Sequence, residues 1–245
     1  MVEIKFIFTD ADLKKARDLG DLTEPTTVRT VAFFDTAERG LLDGTLLRPE
    51  LKLILRGRSS PQKERGNTTL KVRTSGTLDE SFKTNEVAGA KREVDFAFGR
   101  PPLNSYSLDG KQDRGEIVEV LAGHRPVKSI FTDAQEACIS RVVSKSFRWS
   151  DLRIYGPVEN VEVWDETSIP GLARAVTFEL WRLPAKGARA ARQILELSAR
   201  APDDELPAVV NEIRQFLEGR GVHPSASETK TKMVLEHFVS GRKAK

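Results

Sequence analysis

Residues 2–8 alternate strictly, with Val2, Ile4, Phe6 and Phe8 on one side and Glu3, Lys5 and Ile7 on the other. Period two is the signature of a strand with one buried face. Residues 10–20 change to an amphipathic helical pattern that closes on Gly20. The β-branched and aromatic run 26–35 predicts a second strand. Residues 51–58 and 68–74 predict a hairpin around a Ser/Pro/Gly/Asn-rich turn, and residues 91–98 alternate again. The two prolines in 99–110 predict a loop. Further strands are expected at 117–121, 127–132, 138–147, 161–164 and 175–181. Residues 190–199 suit strand or helix. Residues 207–219 predict a helix, with Val209, Val210, Ile213, Phe216 and Leu217 on one side. Many short strands at close spacing point to a barrel or a sandwich.

Composition narrows the class. The 245 residues suffice for a large core, and 39% hydrophobic with 31% charged content suits a globular chain. Lys and Arg total 39 against 36 Asp and Glu, a net +3. That balance argues against a nucleic-acid coat. No apolar run reaches the roughly 18 residues of a membrane span, and the first residues read as a strand, not a signal peptide. A single cysteine, Cys138, excludes an internal disulfide. A cytoplasmic protein is expected, with neither nucleic acid nor membrane as partner.

The charged faces carry the chemistry. In the hairpin, Arg56 and Arg58 share one face of the first strand, and Lys71 and Arg73 one face of the second. Like charges on adjacent strands repel, so a wholly cationic face needs a reason. Glu93 and Asp95 show the same spacing in acids. A barrel that turned such faces inward would suit a polyanion. A hard divalent cation could reconcile phosphate with the acids. Neither a Walker-type loop nor a nucleophile elbow is present, and His124, His223 and His237 lack ligand spacing.

An ordered series of short motifs resembles the CYTH domain of the triphosphate tunnel metalloenzyme superfamily (the CyaB and thiamine triphosphatase type). Glu3-Ile4-Lys5 resembles the second half of its opening Glu-x-Glu-x-Lys, with Met1 standing where the first glutamate belongs. Phe33-Phe34-Asp35-Thr36, Leu55-Arg56-Gly57-Arg58 and Thr69-Leu70-Lys71-Val72-Arg73 resemble the next three motifs. Glu93-Val94-Asp95, the strands around Glu179 and Glu196, and Thr229-Lys230-Thr231 complete the set. Phe131 to Gln135 lacks the basic residues that many relatives carry there.

The resemblance implies an α+β fold: an eight-stranded antiparallel tunnel with flanking helices. It would be one tunnel domain over residues 1–245, with a C-terminal helix at about 203–220 packed on the barrel. It also makes 190–199 a strand. The implied phosphate ligands are Lys5, Arg29, Arg56, Arg58, Lys71, Arg73 and Lys230. The implied metal ligands for Mg or Mn are Glu3, Glu93, Asp95, Glu179 and Glu196, with Lys5 and Glu93 catalytic. The implied activity is metal-dependent hydrolysis of inorganic triphosphate or a small organic or nucleoside triphosphate, by a monomer or homodimer. A non-catalytic module for polyphosphate or a phosphometabolite, and a class IV-type adenylate cyclase, are the alternatives.

Overall fold

A computed structural model describes residues 1–78, 82, 87, 89–187, 189–225 and 228–239. The basic end at 241–245 lies outside the described residues. Among the described residues nine strands form one closed barrel: β1 (Val2–Phe8), β2 (Thr27–Asp35), β3 (Leu51–Ser59), β4 (Arg65–Thr74), β5 (Ala90–Ala97), β6 (Leu103–Asp113), β7 (Arg153–Thr167), β8 (Val176–Leu183) and β9 (Arg192–Ala201). Around the ring they run β1-β5-β6-β4-β3-β2-β7-β8-β9.

The expected eight antiparallel strands are therefore corrected to nine in a mixed barrel. The additional strand is β6, in the region read as a loop. It pairs antiparallel with both β4 and β5. An odd ring cannot alternate direction all the way round, so one neighbouring pair must be parallel. That pair is β1–β5, with Glu3 opposite Asp95. The prolines that suggested a loop end just before the strand. Tyr106 and Leu108 are buried on its outer side, while Ser107 and Asp109 line the interior. Gly110 is required by close approach: a Cβ there would sit 2.8 Å from both Gln135 Oε1 and Thr68 Oγ1.

Three other expected strands are helical. Residues 117–121 belong to helix α2 (Arg114–Leu121), 127–132 contain a 3-10 turn (Val127–Ile130), and 138–147 begin within helix α3 (Asp133–Val142). Helix-start signals outweigh the β-branched residues here. Asp113 accepts from the Gly115 and Glu116 amides, and Thr132 with Gln135 forms a capping box. The buried positions of α3 are Gln135, Cys138, Ile139 and Val142, a helical spacing. This helical insert covers the outer face of β3, β4 and β6, where Leu53, Leu55, Leu70 and Leu108 meet Ile117, Ile130 and Ile139. Phe131 and Gln135 are buried in this layer, away from the barrel interior.

Helix α1 (Asp10–Leu19) and, after a 3-10 turn (Asp203–Glu205), helix α4 (Leu206–Glu218) cover the outer faces of β1, β8 and β9. Both were expected. A fifth helix, α5 (Lys230–Phe238), was not: only its first two residues belonged to a motif. Met233, Val234, Leu235 and Phe238 of α5 pack on inward-facing Ile7, Phe33, Ile54, Trp181 and Ile194. The barrel interior is therefore apolar where it meets α5 and charged elsewhere. No helix among the described residues is long and apolar enough to cross a membrane.

Candidate functional site: a charged cavity within the barrel

The charged part of the interior is a cavity of about 470 Å³. Alternation builds it directly. Glu3 and Lys5 from β1, Arg56 and Arg58 from β3, Lys71 and Arg73 from β4, and Glu93 and Asp95 from β5 all line it. Glu179 of β8, Glu196 of β9 and Lys230 of α5 complete the expected set. Arg29 is the exception. It stands behind Glu179, 3.6 Å away, and reaches towards Asp165 at 4.0 Å without lining the cavity. Met1 does not line it either; its side chain is exposed and its amine pairs with Asp203.

Among the described residues eleven cationic side chains line the cavity against seven carboxylates. That local excess of four exceeds the net +3 of the whole chain. The near-neutral composition conceals a concentrated cationic interior.

The charges divide into three groups. On the first wall Asp95 is shared: Lys71 Nζ and Arg73 Nε both donate to it at 2.7 Å, and Lys5 Nζ lies 3.8 Å away. Lys5 also donates to Glu3 at 2.6 Å. Burial alone would raise these carboxyls, but the cations outweigh it. Glu3 is held at about 2 by Lys5 and Lys71, and Asp95 lies well below the usual carboxylate range. Burial pushes Lys71 down to about 8, aided by Lys5 and Arg73 and only partly offset by Asp95. Glu93 lies 3.8 Å from Lys71 and makes no side-chain hydrogen bond among the described residues.

The second group is a clamp. Glu179 and Glu196 are direct partners on β8 and β9 and share the Lys230 ammonium, which lies 2.7 Å from Glu196 and in contact with Glu179. The Trp181 ring backs that ammonium at 4.7 Å, and its indole N–H donates to Glu179 at 3.1 Å. Against the opposing pull of burial, Lys230 holds Glu179 well below the ordinary range.

The third group has no carboxylate in direct contact. Arg56 and Arg58 donate only to the Thr69 hydroxyl, at 3.3 and 3.4 Å, and Arg56 Nε is buried without a hydrogen-bond partner. Neither makes an ion pair among the described residues. Arg56 first, then burial and Arg29, lower the Arg58 guanidinium to about 9. It remains charged at neutral pH.

The sequence reading did not single out Ser107, Asp109 or Arg200 as site residues, though all three line the cavity. Ser107 and Asp109 fell in the supposed loop; the alternation of Tyr106 and Leu108 with them was the available signal. Arg200 continues the face of Glu196 along β9.

The donor chemistry can be tested for a metal. Glu3, Glu93 and Asp95 place hard oxygens on one wall, the type that Mg²⁺ or Mn²⁺ takes. Glu179 and Glu196 fit less well, because the Lys230 ammonium already lies between them. No group of three potential ligands among the described residues is gathered around one point.

No family model matches the sequence, and no curated protein matches it. Solved structures do. The Hippeastrum protein HpAC1, described as an adenylyl cyclase candidate with a dominant triphosphatase activity, is 14% identical, with 96% of this chain and 94% of that one covered at a TM-score of 0.54. A Bacillus halodurans protein described as an adenylate cyclase candidate is 11% identical, with 95% of each chain covered at a TM-score of 0.55. The chain has the CYTH-type triphosphate-tunnel fold, as the ordered motifs implied.

Proposed function

We propose that this cavity binds the phosphate chain of inorganic triphosphate or a small organic triphosphate and hydrolyses it with Mg²⁺ or Mn²⁺. The observation that carries this reading is the Arg56–Arg58 pair. Two half-buried guanidiniums side by side on a hydroxyl, with no carboxylate in contact and Arg56 Nε buried without a hydrogen-bond partner, repel each other unless an anion joins them. Guanidinium forks suit phosphate oxygens, which they bind bidentately. The cations of the first wall would hold the rest of the chain. The triphosphatase activity attributed to HpAC1, on the same fold, supports the reading.

In this proposal Lys5 offsets charge on the leaving phosphate, and Glu93, the wall carboxylate without a hydrogen bond, takes a proton from the attacking water. Glu3, Glu93 and Asp95 would hold the divalent cation. When bound, such an ion supplies charge neutralisation at the phosphate oxygens and a more acidic water. One observation favours a second reading, a non-catalytic binding module: Glu3 and Asp95 are already satisfied by lysines and an arginine.

Phosphate release from tripolyphosphate, thiamine triphosphate and ATP, with and without Mg²⁺ and Mn²⁺, separates the two. Calorimetric binding is measured in parallel, and cAMP is assayed in the ATP arm. Metal-dependent release is expected. Tight tripolyphosphate binding without release under any metal leaves the binding module. Cyclic AMP as the main product makes the protein a cyclase.

A further inference from the structure

Thr69 stands at the centre of one rung across three strands, with Arg56 as its partner on β3 and Asp109 as its partner on β6. A hydroxyl has one proton and two lone pairs. At 2.7 Å, Asp109 Oδ1 is much the nearest acceptor for that proton; Asn67 Oδ1 is 3.4 Å away. With the proton committed to Asp109, both lone pairs face the guanidiniums of Arg56 and Arg58. A hydroxyl turned the other way would point its proton at two cations.

We propose that Asp109 is a positioning residue for the Arg56–Arg58 anion subsite, acting through the Thr69 hydroxyl. This inference rests on the anion-binding reading above. The arrangement separates orientation from neutralisation. Asp95 touches Lys71 and Arg73 directly and takes up their charge. Asp109 stands one residue further off, so both guanidiniums are aimed while their charge stays available for a ligand. Lys91 lies 3.5 Å from the other Asp109 oxygen and offers it a cation outside the subsite.

The test is calorimetric binding of tripolyphosphate without metal to the full chain and four variants, each checked by melting temperature. Simple electrostatics makes Asp109→Ala bind a polyanion more tightly, because an acid has left the cavity. The relay makes it bind about tenfold more weakly, since two charge-assisted contacts lose their fixed geometry. Asp109→Asn keeps an acceptor for the Thr69 proton and is expected at wild-type affinity or better. Thr69→Val removes the hydroxyl at nearly constant volume and should match Asp109→Ala, while Thr69→Ser restores binding. Equal or tighter binding by Asp109→Ala, or wild-type binding by Thr69→Val, overturns the relay. If one variant fails to fold, the remaining pair decides. Absence of binding by the wild type overturns the anion reading, and the relay with it.

Discussion

Two sets of cations line the cavity from adjacent strands, and the sequence writes them almost identically: Arg-Gly-Arg on β3, Lys-Val-Arg on β4. Their surroundings differ. Lys71 and Arg73 meet Asp95 at hydrogen-bond distance, so that wall is close to neutral before any ligand arrives. Among the described residues Arg56 and Arg58 hydrogen-bond only to Thr69. The first arrangement holds the barrel together and the second leaves charge to spend on a partner. A basic residue in a strand motif therefore does not by itself mark a binding contact; the nearest carboxylate decides.

The largest expected effect is at the clamp, which belongs with the neutralised wall. Lys230→Met would leave buried Glu196 facing half-buried Glu179 with no cation between them, only Arg29 standing behind Glu179. Breaking a buried ion pair in this way costs about 3–5 kcal/mol. Urea denaturation measures it, and a loss below about 1 kcal/mol would mean that water reaches the clamp.

Next comes the contrast between the walls themselves. Arg56→Met should weaken tripolyphosphate binding tenfold or more, since a hydrogen bond to a charged group is worth about 1.5–3 kcal/mol. It should leave folding stability unchanged or improved, because Arg56 is the main group that depresses Arg58. Arg73→Met should weaken binding and also lower the melting temperature, because Asp95 loses a partner. If both variants changed stability alike, the distinction between the walls would collapse.

The pH dependence is smaller and separates the same two roles. Lys71 is lowered from 10.5 to about 8 in the folded protein. Above about 8 it loses its proton, so metal-free tripolyphosphate affinity should decline as pH rises through that value. Stability moves the other way. Between about 8 and 10.5 the unfolded chain binds the Lys71 proton more readily, so this group favours folding as pH rises. Calorimetry and thermal melts over pH 7–10 would show opposite slopes.

The smallest effect is at the acid end. Glu3 is lowered from 4.5 to about 2. Its stabilising contribution is full above 4.5 and is lost as pH falls towards 2. Glu3→Gln should flatten that part of the melting curve and leave the neutral-pH slope unchanged.

Strand alternation was legible wherever one face was apolar and the other charged, as in β1, β3, β4 and β5. Of the twelve expected site residues eleven line the cavity, ten of them on strands and Lys230 on α5; Arg29 was misplaced, because its position depends on the irregular β2–β7 register. Strand β6 escaped because its inner face carries Ser105 and Ser107, which read as turn residues unless the tunnel is known to be polar. The insert over 114–152 escaped because runs such as Ile117-Val118 favour strands locally, whereas Asp113 and Thr132 set helices by capping. Helix α5 is short, and its apolar side acquires meaning only from the barrel end it fills. The odd strand number depends on β6, so it could not be read without that strand.

The single parallel pairing has a consequence for how the barrel breathes. The β1–β5 ladder has only four residue pairs, against ten in β4–β6, and parallel ladders are slightly weaker per residue. A closed ring opens first at its weakest seam, and here the seam runs beneath the neutralised wall. Lys5–Asp95 joins β1 to β5 directly, while Lys71 reaches Glu3 of β1 and Asp95 of β5 from β4. The ion cluster thus acts as a set of cross-seam rivets. Amide hydrogen exchange along residues 2–5 and 94–97 should quicken with added salt sooner than exchange along β4 and β6, and a bound phosphate chain should slow it again.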